Sequence, residues 1–170
     1  MDTNLIFGNI VYIVIALFFL KGALYMVKQK HAVIIERLGK FNKVSKAGLH
    51  FKIPLIDSIA GNVNLRVREL PVEVETKTKD DVFVRIVVSV QFFVIDAPVG
   101  IKDSFYELNN PEQQIQSYVF DSIRSEVPMM ELDDVFAEKE KIALAVKTEL
   151  SDTMRQFGFD FIKALVTDID

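Results

Sequence analysis

One segment constrains this chain more than any other: the apolar stretch from Leu5 to Val27, which nothing else in the sequence resembles. At about 1.5 Å rise per residue, a helix over this stretch extends about 35 Å, enough for a hydrocarbon core of about 30 Å. A membrane anchor over residues 1–27 is expected, built on Leu5, Ile10, Val14, Leu17, Leu20, Leu24 and Val27. Its uninterrupted apolar run is Ile10 to Leu20, and the flanking Lys21 must extend its amine toward the headgroups. A cleaved signal peptide would need a basic start and a small-residue cleavage site. Met1, Asp2, Thr3 and Asn4 include no basic side chain, and the exit through Tyr25, Met26, Val27 and Lys28 has no small-residue pattern. An uncleaved anchor is the better reading.

Charge then gives an orientation. Residues 28–52 carry seven positive charges (Lys28, Lys30, Arg37, Lys40, Lys43, Lys46, Lys52) against the single Glu36. The positive-inside rule places this side in the cytoplasm, as a single-pass membrane protein. The same lysines, Lys28, Lys30, Lys40, Lys43 and Lys46, are candidates for contact with anionic headgroups. An ordinary solvated face is the alternative, but their position directly after the apolar segment favours lipid.

Composition excludes several classes. Net charge is −4, with six positive and fifteen negative charges in residues 103–170, which argues against a nucleic-acid partner. The chain has no cysteine, so disulfides, thiolate chemistry, zinc–thiolate sites and palmitoylation are out. Asp2 follows Met1, so N-myristoylation is out as well.

Periodicity supplies the elements. Strands are predicted at Ala32–Arg37, before a turn at Leu38-Gly39-Lys40, and over Leu49–Ile53. A strand is predicted over Val63–Leu70, ended by Pro71, and another over Val72–Lys77 with Glu73, Glu75 and Lys77 outward. After a turn at Lys79-Asp80-Asp81, the longest strand sets an apolar face (Val82, Val84, Ile86, Val88, Val90, Phe92, Val94) against a mixed one. Asn110, Pro111 and Glu112 then form a helix start: a capping side chain, a first-turn proline and an acid at the positive end of the helix. Pro128 stops that helix, and Leu132-Asp133-Asp134 opens another. Ile142, Val146, Leu150, Met154 and Phe157 form one helical stripe, Gly158 ends it, and Phe159–Ile169 returns to extended character. The fold class is α+β: antiparallel strands, then helices and a closing strand, behind the N-terminal membrane helix. The chain stops at Asp170 directly after a strand, so further residues are expected in the natural protein.

No constellation for catalysis emerges. His31 and His50 are the only histidines, and neither belongs to a spaced metal pattern. No nucleophile elbow and no phosphate loop are present. Asp133-Asp134 lacks calcium-loop spacing and is explained by helix capping. The expectation is a protein that is not an enzyme and uses no cofactor or metal.

Several blocks together resemble the SPFH (band-7) superfamily of stomatin, prohibitin and flotillin. They are Gln29–Val44 (QKHAVIIERLGKFNKV), Ala47–Pro54 (AGLHFKIP) and Glu75–Val84 (ETKTKDDVFV). Ser104–Pro128 (SFYELNNPEQQIQSYVFDSIRSEVP) and Leu132–Phe136 (LDDVF) look most like the plant hypersensitive-induced reaction proteins and their bacterial stomatin-like relatives. The resemblance runs from Lys28 to the end of the chain. It implies an SPFH domain of two parts, a membrane-proximal β-rich subdomain at 28–95 and an α/β subdomain at 96–170, followed in relatives by a coiled-coil segment not included here. It implies a scaffold: a homo-oligomer of many subunits, forming rings or cages on membrane lipid, organising microdomains and confining partners such as a membrane protease or channel. A regulatory subunit of a membrane protease is the alternative. The resemblance also suggests that Leu49, Phe51, Ile53, Pro54, Leu55 and Ile56 enter the leaflet; an ordinary core strand with a proline turn explains them equally well. In one respect the chain departs from the plant proteins, which begin Met-Gly and rely on acylation.

Overall fold

Period-two alternation, rather than overall hydrophobicity, decides where this chain extends. The computed structural model describes residues 21–170. The chain divides into two units, Met1–Asn64 and Leu65–Asp170.

In the first unit the described strands are β1 (Leu24–Val27), β2 (His31–Arg37), β3 (Lys40–Ser45), β4 (Gly48–Phe51) and β5 (Asp57–Asn64). β2 is the centre of a three-stranded antiparallel sheet, with β3 and β5 on either side. The predicted turn after Arg37 is a two-residue hairpin with both Leu38 and Gly39 at positive φ, the backbone that matches strand twist. β1 and β4 form a separate two-stranded ribbon. Val27 from the ribbon joins Val33 and Ile35 from β2 in one buried cluster, with Tyr25 packed against it. The Tyr25 and Ser45 hydroxyl oxygens lie 2.6 Å apart and tie β1 to β3.

The second unit is built on β6 (Arg68–Lys77), β7 (Phe83–Val94) and β8 (Phe159–Ile169), an antiparallel sheet in the order β6-β7-β8. The face predicted for β7 is buried from Val84 through Val94, and Ile86, Val88 and Val90 are fully enclosed. Its helices are α1 (Pro98–Tyr106), α2 (Pro111–Glu126), α3 (Leu132–Ala137) and α4 (Lys139–Met154), with 3-10 turns at Val127–Met129 and Arg155–Phe157. Asn110 caps α2 by accepting from the Gln113 amide at 3.3 Å. The stripe Ile142, Val146, Leu150 and Met154 is buried as α4 packs on β8, and α2 packs on α4 and β6.

Several expectations need correction. Leu24 and Val27, read as the end of the apolar helix, lie in β1 and pair with Phe51 and Gly48. A short apolar run suits a helix or a strand equally, and here a distant strand offers ladder partners. The other anchor residues, Leu5, Ile10, Val14, Leu17 and Leu20, lie outside the described residues. Among the described residues no helix is long and apolar enough to cross a membrane.

The predicted strand Val63–Leu70 is two strands, β5 and β6, parted at the boundary between the units. Pro71 does not end a strand but lies inside β6. It is tolerated because β6 is an edge strand, where a missing N–H can face outward. β6 and β7 belong to the second compact unit because they pair with β8 from the far end of the chain. Finally, α1 carries no strong apolar stripe and went unpredicted; it is set by Pro98 at its first turn.

Candidate membrane-facing surface

The ribbon of β1 and β4 has two unlike faces. In an antiparallel pair, residues directly opposite point to the same side. Leu24 is opposite Phe51 and Met26 opposite Leu49, so these four large apolar side chains share one face. That face is exposed: Met26 and Leu49 keep 79% and 68% of their surface open. Tyr25, Val27 and His50 occupy the other face, where Tyr25 stacks on His50 with ring centroids 5.6 Å apart. The apolar alternation that normally hides one face of a strand is therefore used on both faces.

A loop at 53–56 follows β4 and extends the apolar character. Leu55 is 89% exposed and sits at φ 72°, a left-handed conformation that costs a leucine about 1–3 kcal/mol. Ile53 and Ile56 are also exposed, whereas Pro54 is half-buried. The Leu38 amide donates to the Ile56 carbonyl at 3.1 Å, so the β2–β3 turn is joined to this loop. Leu38 is itself exposed at φ 51°. Two leucines are thus held outward on left-handed backbone at adjoining turns.

Asp57 fastens the base of the loop. Its buried carboxylate accepts from Arg37 Nε at 2.7 Å and Nη2 at 3.2 Å, and from the Ile53 amide at 2.9 Å. The Arg37 hydrogen bond, with that of the Ile53 amide, lowers the Asp57 pKa to about 2, and the same partnership raises that of Arg37.

Lys28, Lys40, Lys43 and Lys46 adjoin these groups along the chain. Lys28 and Lys46 follow β1 and β3 and lie by the Val27–Gly48 end of the ribbon. Lys43 donates to the Phe51 carbonyl at 3.2 Å, which places an ammonium beside the apolar face. Lys40 follows the Leu38-Gly39 turn, and Lys30 lies in the turn before β2. All five are exposed. The structure therefore brings Leu49, Phe51, Lys43 and Lys46 together at one ribbon, with Ile53, Leu55 and Ile56 in the loop that continues from it. Lys30 is not shown against either group. Leu24 and Met26 join the face only through the register with β4, so no local pattern marks them. Leu38 could have been suspected as a leucine at a hairpin tip.

The histidines are bound to backbone. His50 Nε2 donates to the Lys46 carbonyl at 2.6 Å, and His31 Nδ1 to that of Gln29 at 3.1 Å. Among the described residues no group of three or more His, Cys, Asp or Glu could hold a metal ion. What the first unit presents is an exposed apolar surface flanked by lysines.

Residues 25–170 match the model of the SPFH domain / Band 7 family. The chain is 42% identical over 144 residues to hypersensitive-induced response protein 4 of Arabidopsis thaliana, covering 84% of this chain and 49% of that protein. It is 29% identical over 146 residues to a stomatin-like protein of Caenorhabditis elegans, covering 84% of this chain and 43% of that one. It is 28% identical over 169 residues to a stomatin homolog of Pyrococcus horikoshii, covering 99% and 61%. The chain thus spans about half the length of the curated relatives it matches.

Proposed function

This chain belongs to the SPFH domain / Band 7 family, and from that premise we propose that it is a non-enzymatic, membrane-attached scaffold whose first unit lies against the lipid. Stomatin-like members of the family are commonly membrane scaffolds. The observation that carries the reading for this chain is the outward face of the ribbon, where Leu24, Met26, Leu49 and Phe51 are exposed together. In water such a contiguous face is unfavourable, and burying it releases about 25 cal/mol per Å². Lys43, Lys46 and Lys28 beside it add attraction to anionic headgroups. The apolar segment that begins at Leu5 supports attachment to the membrane, and the lysine excess after it supports a domain on the cytoplasmic side. Assembly of many such chains into rings or cages would confine membrane-protein partners and organise the lipid between them.

The absence of cysteine makes the test clean, because one introduced thiol carries one fluorescent probe. Leu49→Cys, Leu55→Cys and Glu75→Cys, each labelled with an environment-sensitive dye, are placed in vesicles containing phosphatidylserine. The first two should shift to the blue and be quenched by brominated acyl chains, and the third should not. Identical, water-like emission at all three sites would remove the lipid-facing assignment. Electron microscopy of the full-length protein extracted in mild detergent then checks for rings or cages. Monomers in preserved lipid would favour a regulatory subunit of another membrane protein.

A further inference from the structure

The second unit has two open sheet edges, and they are treated differently. On β7 the backbone of Arg85 exchanges both hydrogen bonds with Asp170, at 2.8 and 2.9 Å, so Arg85 turns toward β8. Direction alternates along a strand, so Ser89 and Gln91 also turn toward β8, and Ile86, Val88 and Val90 toward β6. Pro71 is opposite Ser89 in the register of β6 with β7. Its nitrogen therefore faces outward, and the free edge of β6 lacks a donor there. Glu69, Glu73 and Glu75 are exposed along the same strand. A proline and like charges are common devices against strand addition.

β8 carries no proline. Its register with β7 shifts between Val87 and Val88 and again between Gln91 and Phe92, leaving Lys163–Val166 as the regular stretch between two bulges. Leu165 and Lys163, opposite Ser89 and Gln91, turn inward to the ladder. The N–H and C=O groups of Ala164 and Val166 are thereby directed outward. A groove of about 630 Å³ runs along this stretch, between it and the start of α4. Lys163, Ala164, Leu165 and Val166 all line it. Consecutive strand residues point to opposite faces, so a groove lined by four in succession follows the edge and not one face. Leu144, 62% exposed, forms an apolar wall from α4. Lys139, Lys141, Lys147 and Lys163 also line it, against the single Glu140; Lys141 additionally bonds Glu138 at 2.9 Å. This is a cationic rim in the acidic half of the chain.

We propose that this groove is a docking site for an extended, acidic segment of a partner protein, which adds as a strand to β8 at Ala164 and Val166 and sets its carboxylates against the lysine rim. Backbone pairing supplies the affinity in such strand addition, and alternate side chains supply the selection. Here Leu144 favours apolar residues on one side of the incoming strand, and the lysines favour Asp or Glu flanking them.

The test uses the whole chain in mild detergent and a short fluorescent peptide of alternating valine and glutamate, with a valine–lysine peptide as control. Anisotropy should report the acidic peptide binding at least about tenfold more tightly than the basic one. Lys147→Glu with Lys163→Glu should weaken it by about tenfold or more. Val166→Pro removes an outward donor and no ladder bond, so it should abolish binding with little change in melting temperature. Should Val166→Pro fail to fold, hydrogen exchange of the unmodified chain decides: the Ala164 and Val166 amides should gain protection with the acidic peptide. Equal affinity for both peptides, or no added protection at those amides, would overturn the proposal. So would protection already present without peptide in a chain that sediments as a dimer, because a second copy would then hold the edge.

Discussion

The carbonyl of Gly100 in α1 occupies the place where a Cβ on Gly158 would stand. Gly158 sits at φ 81°, and its own carbonyl accepts from the Ile95 amide at 2.9 Å. One glycine thus ends the turn after α4, admits the backbone of α1 and anchors the end of β7. Gly39 has nearly the same backbone, at φ 79°, but open space around it.

The two glycines give a matched prediction. Gly39→Ala should cost only the left-handed backbone term, about 1 kcal/mol. Gly158→Ala should cost that plus the displacement of α1, about 3 kcal/mol or more. Urea unfolding of the two variants measures the difference, and equal losses would show that the approach of Gly100 is not limiting.

Val88 is fully buried at the centre of β7. Val88→Asp places an unpaired charge in the core and should destabilise by about 4 kcal/mol or more. Val87, its half-buried neighbour, is on the mixed face. Val87→Asp should cost clearly less, as read by thermal denaturation of both variants.

Asp57 should make the loop at 53–56 sensitive to acid. Its folded-state pKa of about 2 lies below the ordinary carboxylate value, owing first to Arg37 and then to the Ile53 amide. Its stabilising contribution is therefore complete above the ordinary carboxylate range and disappears as pH falls through about 2. Amide exchange at Ile53 and Ile56, corrected for intrinsic rates, should accelerate as pH drops from about 5 to about 2. Asp57→Asn should exchange fast throughout and lose that pH dependence.

Reversing Lys40, Lys43 and Lys46 to Glu should leave the circular dichroism spectrum unchanged, because all three are exposed. Binding to phosphatidylserine vesicles should fall, and the remainder should respond less to salt, since each lysine near the surface contributes about 1 kcal/mol. Unchanged vesicle binding would mean that these lysines are only a solvated face.

Much of the second unit is legible along the chain. The burial of alternate residues from Val84 to Val94, the Asn110 cap, the α4 stripe and the extended run from Phe159 to Ile169 all follow local patterns. The candidate surface is less so. Leu49, Phe51, Leu55 and the lysines can be named from sequence, but local pattern reads Leu24 and Met26 as helix and Leu38 as an ordinary turn. Nothing within a few residues of Met26 states that it will face outward beside Leu49.

By itself, then, the sequence determined the kinds of element and their amphipathic faces, because side-chain period, caps and turn residues act over a few bonds. It also determined the lysine-rich stretch after an apolar start, and the family. Only the tertiary structure decided that Leu24–Val27 would be a strand, that Pro71 would lie within an edge, and that β8 would close a sheet opened at Arg68. Each of those depends on a partner far along the chain. Such pairing is chosen by the balance of loop-closure entropy against the whole core it completes, and no local pattern records that balance.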